Sequence, residues 1–138
     1  MSQLRAAEAR GEEATKNSVI PDNWKNMPKD TMWHDGGDYY LSPRGQHPNS
    51  CNTMMSRSLA LLANYDSFRF NELISPRPYL AVVGEKADTL YFSETAVKLA
   101  QEPKELFVLP GAAHVDLYDK IDVPAKKLVK FFTQHLVQ

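Results

Sequence analysis

The chain has one cysteine, Cys51, in 138 residues. That excludes an intrachain disulfide framework and a cysteine-based zinc site, and it suits a reducing compartment. No apolar run approaches the about 20 residues needed to cross a bilayer. The opening residues, Met1-Ser-Gln-Leu-Arg-Ala-Ala-Glu8, have no apolar core of the signal-peptide kind. Surplus charge is missing too: a formal net charge of −1 leaves no basic footprint for nucleic acid or for an anionic membrane. His34 and His135 show no metal-site spacing, His47 among Gly45, Pro48 and Asn49 reads as a turn or surface histidine, and nothing in the pattern argues for a metal or an organic cofactor. Repeats and low-complexity segments are absent. What remains, 43% hydrophobic and 24% charged residues, is the composition of an ordinary globular protein of one domain's length, expected to be soluble and cytoplasmic.

The pattern changes near Pro76 and divides the chain into residues 1–75 and 76–138. The first part holds most of the irregular punctuation, including Pro21, Pro28, Gly36-Gly37, Pro43, Gly45 and Pro48. Residues 3–16 favour helix by propensity but carry few large apolar groups, so they need a partner surface. Trp24, Trp33, Tyr39 and Tyr40 stand among charges, as in one or two short helices that form a cover. Met55, Leu59 and Leu62 have helical spacing. The expectation for 1–75 is a helical, lid-like region.

After Pro76 the order is regular. Tyr79-Leu-Ala-Val-Val83 is a continuous apolar run before Gly84, suited to a strand buried on both faces. A helix over about 94–101, capped by Ser93, ends at Pro103. A second buried strand follows over Glu105–Leu109. The final helix begins near Val123, with Asp122 as cap and Pro124 in its first turn. Its stripe Leu128, Phe132 and Leu136, supported by Val129, is expected to face a core, and Lys126, Lys127 and Lys130 to face water. The fold class is therefore α/β, with a C-terminal βαβα unit of a parallel sheet over 76–138.

In a parallel α/β sheet the chemistry gathers at the carboxyl ends of the strands. Both strands here end in a loop with titratable groups. The first leads into Gly84-Glu-Lys-Ala-Asp-Thr89, and the second into Gly111-Ala-Ala-His114-Val-Asp-Leu-Tyr118. If the strands are neighbours, Asp88 and His114 rise from adjacent loops, where a carboxylate can hold the imidazole tautomer and leave the other ring nitrogen as a base.

These residues carry a resemblance. Ile74-Ser-Pro-Arg-Pro-Tyr-Leu-Ala-Val-Val-Gly84, Glu102-Pro-Lys-Glu-Leu-Phe-Val-Leu-Pro-Gly111, the His114 loop and the closing Phe131-Phe132 helix resemble the C-terminal part of an α/β-hydrolase of the dienelactone-hydrolase-like branch. The likeness spans roughly 74–138. Asp38-Tyr-Tyr-Leu-Ser-Pro-Arg-Gly-Gln-His-Pro-Asn49 is similar to the stretch between nucleophile and acid in some bacterial and fungal members, including polyketide transferases. The resemblance implies a partial α/β-hydrolase fold with His114 as the triad histidine. It implies Asp88 as the acid, one residue later than in many members, with Glu85 as a fallback and Asp116 a weaker one. Asp116 is better read as bonding its own turn.

One part of the pattern is missing. The family's nucleophile sits on a tight elbow, Gly-x-Ser-x-Gly or a cysteine variant, and this sequence contains neither. Cys51, in Asn49-Ser-Cys-Asn-Thr53, has no preceding strand and no glycines. Two functions follow. One is acyl chemistry on an ester, lactone or thioester, as a hydrolase or transferase, with the nucleophile and oxyanion donors supplied from elsewhere, such as a companion chain, a missing N-terminal half or an assembly of the complete sheet. The other is a truncated, non-catalytic remnant that acts as an oligomerising or binding module through an exposed sheet edge.

Overall fold

Strand formation after Pro76 follows the apolar pattern closely. In a computed structural model, which describes residues 2–136, β3 (Tyr79–Gly84) and β4 (Lys104–Leu109) run parallel, with Tyr79 opposite Lys104 and Gly84 opposite Leu109. Between them lies the helix α4 (Leu90–Leu99). It starts earlier than the sequence indicated: Thr89, not Ser93, is the residue before its first turn, and no side chain caps it. Ser93 instead lies inside the helix. The reason is the short Gly84–Ala87 turn, in which Ala87 N–H bonds Gly84 C=O and lets the chain re-enter helix at once.

Beyond β4 come a one-turn helix, α5 (Asp116–Asp119), and the final helix α6 (Asp122–Leu136). The expected stripe on α6 is corrected. Leu128, Phe132, Leu136 and Val129 are exposed, the last two by 71% and 66%, whereas Phe131 and Pro124 are buried. Lys127 is not a solvated residue either. Its ammonium is drawn in to Glu105 of β4 and lies over the Phe107 ring. A helix places both an i, i+4 apolar stripe and its neighbouring residues within reach of a flanking element. In the described chain β4 meets the Lys127–Phe131 side, and the Leu128–Phe132–Leu136 stripe has no cover.

Residues before Pro76 form short pieces: α1 (Ser2–Ala9), α2 (Met32–Tyr40) and α3 (Ser58–Leu62), with single 3-10 turns at Trp24–Asn26 and Asn71–Ile74. They also contain an antiparallel ribbon that the periodicity did not indicate, β1 (Lys16–Ser18) with β2 (Thr53–Met55). Strands of three residues carry too little alternation to be read. The ribbon is pinned by Asn52, whose side chain accepts from Ile20 N–H at 2.8 Å and donates to Ile20 C=O at 2.6 Å. Met55 belongs to this ribbon, so the helix expected from Met55 shrinks to the single turn of α3.

The core is small-residue rich. Ala81, Val83, Ala87, Ala100, Ala112 and Val115 are its buried members around the β3–β4 pair, joined by Phe131 of α6, while Ile20 is buried separately against Gly36 of α2. Among the described residues β3 has a strand partner on one edge only.

Candidate functional site

Two loops meet at the carboxyl end of β3 and β4. They are locked together by backbone: Glu85 N–H bonds Leu109 C=O at 3.0 Å, and Lys86 N–H bonds Ala112 C=O at 2.9 Å. Gly84 is what permits this approach. A Cβ there would run into the carbonyl groups of Ala112 and Ala113. Glu85 then accepts from Gly111 N–H at 2.8 Å, and Gly111 takes φ = +70° to turn the chain toward His114. The fallback acid is thus engaged in holding the histidine loop and does not reach the imidazole.

His114 is half-buried, and both its ring nitrogens are bonded. Nδ1 lies 2.8 Å from Thr89 Oγ1, and Nε2 lies 2.9 Å from the Tyr118 hydroxyl. Asp88 sits in the adjacent loop, as expected, but its carboxylate has a different partner. Asp88 Oδ2 accepts from Met32 N–H at 2.6 Å, the first amide of α2. A helix start leaves such amides without partners and favours negative charge, so this is a strong competing use for the carboxylate. Sequence spacing brings Asp88 to the right loop and cannot show that α2 claims it.

Asp116 bonds its own turn, accepting from Ala113 N–H at 2.9 Å. It also receives Arg44 Nη2 at 3.0 Å and Lys120 Nζ at 2.8 Å. Arg44 further grips Asp119 through Nε at 2.5 Å and Nη2 at 2.7 Å, and Asp38 through Nη1 at 3.1 Å. The Asp116 carboxyl is held below the usual range: burial opposes this, but the bonds from Lys120, Ala113 N–H and Arg44 outweigh it. The Arg44 guanidinium raises its own proton affinity in the same exchange, chiefly through Asp119. Three residues that shape the site, Thr89, Tyr118 and Arg44, were given no role by sequence reasoning. Tyr118, four residues after His114, carried a usable signal in its helical spacing. Arg44 carried none.

Tyr118 belongs to an aromatic cluster with Tyr39 and Tyr40, its ring centroid 5.2 Å from that of Tyr39. Burial, then the Tyr40 and Tyr39 phenols, push its hydroxyl up to about 12. The phenol therefore keeps its proton at neutral pH. Tyr39 and Tyr40 cover the histidine loop, whereas Trp33 points outward and Trp24 packs edge-on to His34.

A cavity of about 430 Å³ opens beside the imidazole. Val82, Val83 and Leu117 supply its apolar wall, and Thr89, Ser93 and His114 its polar groups. Another hollow, of about 460 Å³, lies behind the Gly111 turn against Asp116, Asp119 and Lys120 and does not include His114. The first is the one that joins a base to an apolar wall. Cys51 is exposed and lies with Tyr40 and Asn52 at a separate hollow of about 180 Å³ lined by neither His114 nor Thr89. Hydrogen bonding to Thr53 lowers its thiol from the ordinary range.

The chain resembles known proteins in structure and in sequence. It superposes on the α/β hydrolase GrgF of a Penicillium species with a TM-score of 0.75 and 17% identity, over 99% of this chain and 47% of that one. The fold is α/β-hydrolase-like. A nearer structural match is the hypothetical protein PA2218 of Pseudomonas aeruginosa, at a TM-score of 0.85 and 37% identity over 97% of this chain and 42% of that one. In sequence, PA2218 is 46% identical over 107 residues, which is 74% of this chain and 29% of the relative. The uncharacterized protein YcjY of Escherichia coli is 30% identical over 83 residues, 59% of this chain and 27% of the relative. The chain therefore spans less than half the length of each of these proteins. No family model matches it.

Proposed function

We propose that this chain carries the histidine-bearing C-terminal portion of an acyl-hydrolase or acyl-transferase site, of the dienelactone-hydrolase-like kind, for an ester, lactone or thioester. The observation that carries this reading is the position of His114. It stands at the carboxyl end of β4, half-buried, with its ring against a 430 Å³ cavity walled by Val82, Val83 and Leu117. In this role the imidazole takes a proton from a nucleophile and returns it to the leaving group. Asp88 enters as the charged neighbour in the same loop cluster, without a direct bond to the ring. Residues 76–138 provide the βαβα portion and residues 1–75 the lid-like cover. The nucleophile and the oxyanion donors belong to an N-terminal half that this sequence does not contain.

The test is complementation. The purified chain is mixed with a polypeptide that supplies the remaining strands and the nucleophile elbow of a PA2218-like protein, and hydrolysis of a chromogenic ester is followed. The expected outcome is activity that neither component shows alone and that falls at least about a hundredfold in His114→Ala. Activity that survives His114→Ala, or no gain in the mixture, overturns the reading.

A second reading, a non-catalytic oligomerising module, draws on a separate observation. The Leu128–Phe132–Leu136 stripe of α6 is exposed, and β3 offers one unpaired edge.

A further inference from the structure

The turn that carries His114 is closed on itself by one carboxylate. Ala113 N–H donates to Asp116 Oδ2 at 2.9 Å, and Asp116 N–H donates back to Ala113 C=O at 3.3 Å. This reciprocal pair brackets His114 and Val115, so the place of the imidazole follows from where the Asp116 side chain points. Asp116 opens α5, a helix of one turn, and so short a helix does not hold itself. Two cations meet the other carboxylate oxygen. Lys120 Nζ lies 2.8 Å from Oδ1, but its side chain is 69% exposed, and an ion pair of that kind fixes little. Arg44 Nη2 lies 3.0 Å from the same oxygen, and its side chain is only 23% exposed.

The Arg44 guanidinium is itself held from several sides. Nε and Nη2 take the two oxygens of Asp119, Nη1 reaches Asp38 at 3.1 Å, and the second hydrogen of Nη2 is left for Asp116. A planar fork of five donors suits this task, whereas a lysine ammonium on its flexible stem has three donors and no fixed fork. A second path leads from Arg44 to the imidazole, through Tyr39, over whose ring the guanidinium lies at 5.4 Å, and then Tyr118. Bonds between charged groups outweigh a partly exposed contact of cation and ring, so the carboxylate path dominates.

We propose that Arg44 is a positioning residue for His114. It acts through the Asp116 carboxylate, which holds the Ala113 amide and with it the turn that presents the imidazole to the cavity. This rests on the reading of His114 as the base and deepens it: the placing of that base is governed by a side chain 72 positions before Asp116. The segment that covers the site also builds it.

The experiment uses the whole chain, labelled with nitrogen-15, at neutral pH. NMR reads the His114 ring signals, which His114→Asn identifies, and the exchange rate of the Ala113 amide. In Arg44→Met the expected result is displaced ring signals and Ala113 exchange about tenfold faster, the loss expected of one bond to a charged acceptor. Asp116→Asn should give the same changes, Lys120→Met should leave both near wild type, and Arg44→Lys should fall between wild type and Arg44→Met. With Asp116 already replaced by Asn, Arg44→Met should add little. Three results would each overturn the proposal: Arg44→Met signals that match wild type, Lys120→Met changes as large as those of Arg44→Met, or an undiminished Arg44→Met effect in the Asp116→Asn background, which would route it through Tyr39. Should Arg44→Met fail to fold, Arg44→Lys takes its place. Displaced signals that vanish as an added effect in Asp116→Asn then sustain the proposal, and unmoved signals overturn it. No turnover enters the readout. A failed complementation would sink the acyl-chemistry reading and leave the tie between Arg44 and the His114 turn standing, and unmoved signals would remove the tie alone.

Discussion

Gly84 shows how one missing side chain positions a site. The sequence marks it only as the glycine after an apolar run, and the structure shows the carbonyl groups of Ala112 and Ala113 in the space a Cβ would fill. Gly84→Ala must therefore push the histidine loop off the end of β3. Overpacking of this kind costs about 1–3 kcal/mol. The measurement is the urea midpoint together with the His114 ring signals. The expected outcome is a lower midpoint with an unchanged slope, and altered ring signals. A loop that tolerated alanine with neither change would mean that the close approach contributes nothing to the position of His114. At this scale the sequence was informative about His114 and silent about its partners. A loop after a buried strand is legible from hydrophobic pattern. Which hydroxyl meets which nitrogen is set by contacts between residues 25 apart, as in Thr89 and His114, and no local pattern encodes that.

Among the elements, legibility followed length and periodicity. β3, β4 and α6 were read nearly to their ends because their apolar residues are continuous or regularly spaced. The three-residue strands β1 and β2 and the one-turn helix α3 were not, because each is fixed by distant partners such as Asn52 and Ile20. The orientation of α6 was misjudged for a different reason. Its stripe is a true amphipathic signal, but the surface it would cover is absent from the described residues. The 38–44 segment at the end of α2 is tied to α5 by charge, and charge makes a pH prediction. Asp116 and Asp119 both have carboxyl groups held below their ordinary range by Arg44 and Lys120, Asp116 also by its own turn. Groups with depressed values stabilise the fold above the unfolded aspartate value of about 3.9, and that contribution is lost as pH falls through their folded values. Arg44→Met is therefore expected to lower Tm at neutral pH, with the gap to wild type closing below about pH 3. A gap that stayed constant into acid would assign the Arg44 effect to packing against Tyr39, over whose ring the guanidinium lies at 5.4 Å, and not to its ion pairs.

Alanine and valine supply most of the buried core, with Ile20 and Phe131, and many apolar side chains lie outside it. Leu61, Leu73, Val129 and Leu136 are all more than 60% exposed. A chain of 15.6 kDa with such a surface is expected to associate, so light scattering after size exclusion should return a multiple of that mass. Val129→Lys with Leu136→Lys should reduce it toward the single-chain value. A stable monomer in the unmodified chain would remove the oligomerising-module reading. Among the described residues no helix is long and apolar enough to cross a membrane.

The Arg44 cluster has one more consequence, for the order in which the chain is made. Arg44 and Asp119 are 75 positions apart, so the guanidinium leaves the ribosome long before Asp116 and Asp119, its partners on α5, exist. Until α5 emerges, the 38–44 segment can only wait, with Tyr39 and Tyr40 open to solvent or to a chaperone. The 38–44 segment is thus synthesised well before the contacts that fasten it to α5 can form.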